Sequence, residues 1–125
     1  MSTSSKLTNR DTGGEDTTID PIVIVVTCSS AEESQSIIGK IVSLRLAAVG
    51  QTWPISSCYW WEGEVVHATE HLVLFKTVAK HFVAVCETVR ALHSYELPAI
   101  IAAPLSAVGP GYLAWLINST TSAEQ

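Results

Sequence analysis

The sequence predicts an α+β fold in which helices pack on one face of a single antiparallel β-sheet. Runs of β-branched residues alternate with stretches that carry apolar residues at helical spacing, in the order β-α-β-β-α-β followed by one more helix. Two consecutive strands are joined by a short turn at Gly63, which indicates an antiparallel hairpin. The 125 residues, 47% of them hydrophobic, suit one domain with a buried core.

The first strand and the first helix are adjacent in the sequence. Residues 22–27 form a continuous β-branched run, which is typical of a central strand buried on both faces. Ser30 and Glu33 have the spacing of a capping box, so a helix is predicted to begin after Ser30. Apolar residues at helical spacing continue to about Ala48, and Gly50 stands just past the predicted end of this helix.

The remaining elements follow from turn and breaker residues. A long second strand contains Pro54, which favours an edge position in the sheet. After the turn, residues 64–77 are predicted as the third strand and residues 80–93 as the second helix. Residues 98–103 form the fourth predicted strand, and Pro110 marks the start of a last short helix.

This order corresponds to the ferredoxin-like βαββαβ fold with an extra C-terminal helix and a long hairpin between the second and third strands. The two hairpin strands are about 10 and 14 residues long, whereas strands in globular proteins typically have five or six residues. Successive strand residues point to opposite faces, so Trp60 and Trp61 leave neither face of the hairpin plainly polar. We therefore expect an interface with another copy of the chain, formed by Tyr59, Trp60, Trp61 and Val65.

The charge balance excludes nucleic acid as the main partner. The chain has 7 Lys and Arg residues against 12 Asp and Glu residues, a formal net charge of -5, and a phosphate backbone is bound by a basic face. A transmembrane span is not expected either, because no apolar run reaches the roughly 20 residues that cross a bilayer.

The two ends of the chain differ from its middle. Residues 1–20 are rich in serine, threonine, glycine and aspartate, and we predict that they form a disordered N-terminal tail. The folded domain is assigned to residues 21–119 and a short C-terminal tail to residues 120–125. Three widely spaced cysteines and the lack of an apolar signal-peptide core predict a reducing compartment. We expect a cytoplasmic protein, with organelle targeting by residues 1–20 left open.

One segment of the third strand resembles a zinc-protease signature. Residues His67 to His71 spell H-x-x-E-H, with Glu70 as the acid, and on a helix this pattern would bind zinc. The flanking residues are β-branched and aromatic, so we predict a strand instead. Two strand residues four positions apart lie about 13 Å from each other, too far for one zinc ion. Nothing else in the sequence demands catalysis, and we expect no enzymatic activity.

A metal site is predicted at His93 and Glu96. His93 lies at a predicted helix C-terminus, where the helix dipole favours a cation, and a polar loop follows it. An imidazole with a nearby carboxylate can bind a soft or borderline divalent ion. The alternative is that His93 only ends the helix and that Tyr95 is a packing anchor.

The sequence also contains a series of short motifs at characteristic spacings. They are Thr27, Arg45-Leu46-Ala47-Ala48, Tyr59-Trp60-Trp61-Glu62-Gly63, Lys76-Thr77, His93-Ser94-Tyr95-Glu96-Leu97-Pro98 and Tyr112-Leu113-Ala114-Trp115. Over about residues 22–118, this series resembles the CutA family of divalent-cation tolerance proteins. The resemblance implies a homotrimer in which long hairpins of neighbouring subunits pair, with clefts between subunits like those of PII-type signalling proteins. It also implies tolerance of copper and other divalent cations without enzymatic activity.

The resemblance places a ligand cleft between subunits. In this sequence the cleft residues are Thr27, Trp61, Glu70, Lys76 and Tyr95. Two functions stay open. The first is a trimer that binds a divalent metal ion, copper first among the candidates, or a small ligand in the cleft. The second is a structural scaffold that anchors or signals through a protein partner without metal binding.

Overall fold

The computed structural model describes residues 19–121 and shows one four-stranded sheet. The strands are β1 (Pro21–Cys28), β2 (Val49–Trp61), β3 (Glu64–Val78) and β4 (Ile100–Pro104). They lie in the order β2-β3-β1-β4, and each neighbouring pair is antiparallel. This is the ferredoxin-like arrangement, and it confirms the predicted fold class.

Helices cover the two faces of the sheet unequally. The helices of the described residues are α1 (Ala31–Ser43), α2 (Phe82–Leu92) and α3 (Pro110–Ser119), with a 3₁₀ turn at Ala79–His81 before α2. Buried side chains of α1 and α2 form the core with one face of the sheet. On the other face, which we call the open face, the ammonium of Lys76 lies 5.6 Å from the ring centre of Tyr112 in α3.

The burial of β1 shows how the two faces differ. Ile22, Ile24, Val26 and Cys28 are at most 6% exposed, whereas the residues between them are half-buried. The prediction that this central strand is buried on both faces is therefore wrong for the single chain, because the open face is only partly covered.

The first helix ends earlier than the sequence predicted. Arg45 has a φ of 60°, and its N–H donates to the Val42 carbonyl, while the Leu46 N–H donates to the Ile41 carbonyl. These are the two hydrogen bonds of a Schellman motif, which usually has glycine at the left-handed position. The helix therefore ends at Ser43 and not at Ala48, because Arg45 adopts the left-handed conformation that was expected of a glycine.

Gly50 has a different role from the predicted one, since it lies inside β2. A Cβ atom at this position would come within 2.8 Å of Ile38 Cγ2 and within 2.9 Å of Phe75 Cε1. The missing side chain is thus what lets α1 pack closely on the strand pair.

The hairpin between β2 and β3 is long and apolar, as predicted. Its ladder closes at the pair Trp61 and Glu64, and the two residues between them, Glu62 and Gly63, have φ values of 51° and 82°. Positive φ at both positions is the mark of a tight two-residue hairpin turn. Trp60 pairs with Val65 and is 74% exposed. Because Trp60 and Trp61 are consecutive, they point to opposite faces, as expected.

The edge position of β2 and the strand character of residues 67–71 confirm two further predictions. Among residues 19–121, no helix is long and apolar enough to cross a membrane. The predicted N-terminal tail, residues 1–20, falls almost wholly outside the described residues, as does most of the predicted C-terminal tail, residues 120–125. Both assignments stay predictions.

Candidate functional site

A groove with a volume of about 800 Å³ opens on the protein surface beside the hairpin. It lies between the hairpin strands, the end of β1 and the loop of residues 93–99 that follows α2. Five of the predicted cleft and metal residues line it, namely Thr27, Trp61, Glu70, Tyr95 and Glu96. Tyr59, which was predicted for the trimer interface, lines it as well. The side chain of Glu70 is on the open face of the sheet, since it neighbours His71, the cross-strand partner of the core residue Cys28.

The carboxylate of Glu70 is the buried acidic group of the groove. Glu70 is 4% exposed, and the hydroxyl of Tyr95 donates a hydrogen bond to its Oε2 at 2.5 Å. Burial, and then this hydrogen bond, raise the pKa of Tyr95 above its ordinary value of 10.0. Tyr95 is therefore a neutral donor at physiological pH, and it holds Glu70 in one orientation.

His93 supports the loop from behind the groove. Its Nε2 lies 2.7 Å from the carbonyl oxygen of Thr27, and its Nδ1 accepts a hydrogen bond from the Tyr95 N–H at 3.0 Å. Both contacts are satisfied together when Nε2 carries the proton and Nδ1 has the free electron pair. The imidazole thus has a fixed tautomer, and it links the end of β1 to the loop of residues 93–99, which we call the groove loop.

Glu33 ties the same loop to the start of α1. Its Oε2 accepts a hydrogen bond from the Ser94 N–H at 2.7 Å, and its Oε1 accepts from the Ser29 N–H at 2.9 Å. Burial alone would raise the pKa of Glu33, but the hydrogen bonds from Ser29 and Ser94 outweigh it and hold that pKa below its ordinary value. The Ser30 hydroxyl accepts from the Glu33 N–H at 3.1 Å, which confirms Ser30 as the predicted N-cap.

A second group of chemically active side chains lies near the groove. Ligand atoms of Cys28, Glu33 and His93 are all within 4.8 Å of one another. Cys28 is fully buried, and burial, followed by the charges of Glu33 and Glu70, raises its pKa to about 12. We call these three residues the Cys28 cluster. Only His93 was predicted as a site residue from the sequence, because Cys28 and Glu33 lie 60 or more positions away from it and only the fold brings the three together.

The predicted site residues are therefore divided between three places. Thr27, Trp61, Glu70, Tyr95 and Glu96 line the groove. His93 groups with the Cys28 cluster, which does not contain Glu96. Lys76 is six residues from Glu70 along β3, about 20 Å away, and is not among the groove-lining residues of the described chain. A role for Lys76 in an intersubunit cleft stays a prediction.

The H-x-x-E-H segment has no zinc-protease geometry. His67, Glu70 and His71 lie on β3, with the glutamate on the face opposite to the two histidines. His67 instead faces Cys58 across the hairpin, with Nε2 3.8 Å from the thiol sulfur.

The fold and the groove together define a small ferredoxin-like α+β protein with an extended hairpin and an acidic groove beside it. Residues 22–119 match the family described as CutA1 divalent ion tolerance protein. The chain belongs to this family, as the sequence motifs indicated.

Individual relatives agree with this assignment. The chain is 41% identical over 105 residues to "Protein CutA 1, chloroplastic" of Oryza sativa subsp. japonica, an alignment that covers 83% of this chain and 59% of the relative. The chain thus spans only part of the length of that relative. The crystal structure of CutA1 from Oryza sativa superimposes with a TM-score of 0.80 at 39% identity, covering 86% of this chain and 100% of that one. The periplasmic divalent cation tolerance protein CutA from Archaeoglobus fulgidus superimposes with a TM-score of 0.80 at 34% identity, covering 81% of this chain and 99% of that one.

Proposed function

We propose that this chain forms a homotrimer without enzymatic activity, which binds a divalent cation or a small polar ligand in the groove and acts in divalent-cation tolerance. The family description and the names of the relatives support the tolerance role. In the trimer, the hairpin of a neighbouring subunit completes the groove, and the cleft then includes Lys76.

The observation that carries the proposal is the buried carboxylate of Glu70 at the groove wall. A carboxylate that is 4% exposed and held by one phenol has lone pairs left for a cation or for a ligand with donor groups. Glu96 supplies a second carboxylate to the same groove. Copper is the first candidate ion, because a given set of protein ligands generally binds Cu²⁺ more tightly than the other divalent first-row metals.

Calorimetric titration of Cu²⁺ into the full chain tests this proposal. We expect the Glu70→Gln and Glu96→Gln variants to bind Cu²⁺ less tightly than the unmodified chain, because each removes a negative charge from the groove. Glu87→Gln is the matched control, since Glu87 is exposed on α2. Identical isotherms for the two groove variants and the control would exclude the groove as the cation site.

A structural scaffold is the second candidate function. It is favoured by the exposed apolar side chains of the hairpin, because Trp60 is 74% exposed and Val65 is 50% exposed, which is typical of a surface that binds another protein. On this hypothesis the trimer is itself the functional product, and it anchors a protein partner. Thermal unfolding of the trimer separates the two functions, because a scaffold keeps the same Tm with and without divalent ions.

The compartment is part of the proposal. We propose a cytoplasmic location for this chain, whereas the rice relative is named chloroplastic and the archaeal one periplasmic. Imaging of the full chain with a C-terminal fluorescent tag tests this, and fluorescence confined to an organelle would contradict it.

A further inference from the structure

We propose that the Cys28 cluster is a site for Zn²⁺, separate from the groove. Cys28 comes from the end of β1, Glu33 from the first turn of α1 and His93 from the end of α2. Their ligand atoms lie within 4.8 Å of one another. Thiolate, imidazole and carboxylate are the three donor types that zinc combines in proteins, in a tetrahedral set with bonds of about 2.0–2.3 Å.

The Cys28 thiol and the Glu70 carboxylate lie on opposite faces of the sheet. Cys28 is on the buried face of β1, whereas its neighbour Thr27 lines the groove. The two sites can therefore be tested separately. The zinc site does not depend on the proposed function of the groove.

The charges of the cluster suit a divalent cation. Zinc binding forms a bond to sulfur and releases the Cys28 proton to solvent, which leaves one thiolate and one carboxylate around the ion. Two negative charges balance the two positive charges of Zn²⁺, so the complex is neutral around the buried thiolate. Ligand atoms around tetrahedral zinc are about 3.4 Å apart, so the three groups must close by about 1 Å.

The hydrogen bond between His93 and Thr27 prepares the imidazole for this role. A metal-binding histidine commonly donates its other ring N–H to a backbone carbonyl, which fixes the tautomer. In His93, Nε2 makes this contact at 2.7 Å and leaves the electron pair on Nδ1. Zinc at Nδ1 would replace one hydrogen bond, the 3.0 Å contact from the Tyr95 N–H.

A further histidine stands next to the cluster. His71 is the cross-strand partner of Cys28, so the two side chains lie on the same face of the sheet. Its Nδ1 is buried and has no hydrogen-bond partner among the described residues. Buried nitrogen atoms are rarely left unpaired. The ligand atoms of His71 lie outside the group that is within 4.8 Å of one another, so its ring must move toward the cluster to supply the fourth ligand that we assign to the ion.

Cobalt spectroscopy on the full chain tests the site, because Co²⁺ replaces Zn²⁺ and gives an intense near-ultraviolet band when it binds a thiolate. We expect this band in the unmodified chain, its loss when one equivalent of Zn²⁺ is added, and its absence in Cys28→Ser. Glu33→Gln should weaken Co²⁺ binding by about tenfold or more. Cys86→Ser and Glu32→Gln are the matched controls, a second buried thiol and the adjacent exposed acid of α1, and both should keep the band.

Each outcome decides the proposal. The proposal is wrong if the unmodified chain shows no thiolate band. It is also wrong if the band is still present in Cys28→Ser. A band that is lost in Cys58→Ser would place the ion at the Cys58–His67 pair and overturn it as well. If Cys28→Ser does not fold, two other measurements still test the zinc site. They are the spectrum of the unmodified chain and the comparison of Glu33→Gln with Glu32→Gln. None of these readouts depends on Glu70 or Glu96, so failure here leaves the groove proposal standing.

Discussion

At the scale of single residues, the groove is organised by the hydrogen bond between Tyr95 and Glu70. The carboxylate is 4% exposed, and the phenol holds it at 2.5 Å. A buried acceptor that loses its donor costs about 1–3 kcal/mol of stability, more than the net value of an average hydrogen bond. The contact therefore ties the groove loop to β3 as well as orienting a binding group.

Replacing the phenol tests this contact. We expect Tyr95→Phe to lower the free energy of unfolding by about 1–3 kcal/mol, because Glu70 would stay buried without its donor. Tyr112→Phe is the control, since Tyr112 is 42% exposed, and it should change stability by less than about 0.5 kcal/mol. Chemical denaturation at neutral pH measures both values, and equal values for the two variants would contradict the assignment.

The raised pKa of Tyr95 has a consequence at high pH. A group whose pKa is higher in the folded state stabilises the fold below its unfolded pKa, here the ordinary value of 10.0, and loses this effect as pH rises through the folded pKa. We expect phenolate absorbance to show one tyrosine that ionises later than the others, and that late step should be missing in Tyr95→Phe. A titration curve of unchanged shape in the variant would show that Tyr95 is not shielded.

Single residues also show what could be predicted from the sequence and what could not. The family resemblance placed Trp61, Glu70 and Tyr95 in a cleft between subunits, and all three line one groove of the single chain, whereas their role in ligand binding stays a prediction. Cys28 and Glu33 were not predicted as site residues. In the sequence, Cys28 marks the end of a strand and Glu33 belongs to a helix cap. Their meeting with His93 depends on the packing of three elements, and no local pattern encodes that distance.

At the scale of elements, the contact of α1 with the β2–β3 pair depends on Gly50. The position has room for hydrogen but not for a methyl group, as the 2.8 Å approach to Ile38 shows. The order and type of the elements could be predicted because apolar periodicity and turn residues are local signals. The end of α1 could not be predicted in the same way. Arg45 adopts a left-handed backbone conformation, and arginine rarely does so.

Two glycine substitutions separate packing from helix propensity. We expect Gly50→Ala to destabilise the chain by about 1–3 kcal/mol, because the added methyl group must displace Ile38 or Phe75. Gly39→Ala in α1 meets nothing within 4 Å, and it should stabilise the chain by up to about 1 kcal/mol through helix propensity. Thermal unfolding of both variants measures the difference, and a Gly50→Ala protein as stable as the unmodified chain would contradict the close packing.

At the scale of the whole molecule, the single chain leaves apolar surface that a stable monomer would be expected to cover. Trp60 is 74% exposed and Val65, its cross-strand partner, is 50% exposed. On the open face, Trp53 and Trp61 are 43% and 42% exposed. Apolar side chains on both faces of one hairpin form a larger patch than scattered surface residues do, and such patches mark interfaces between proteins. The proposed trimer gives this surface a partner, because each hairpin can pack on the next subunit.

A charge at the hairpin tests the assembly. Trp60 lies beyond the core, so Trp60→Asp should leave the βαββαβ unit folded, with unchanged circular dichroism, while its native mass falls from trimer to monomer. The physical reason is that a carboxylate cannot be buried in an apolar interface without a partner. Val83→Asp is the control, because Val83 is 59% exposed on α2, away from the hairpin, and its trimer should persist. A trimeric Trp60→Asp protein would show that the subunits associate through another surface, and a monomeric unmodified chain at micromolar concentration would remove the trimer from the proposed function.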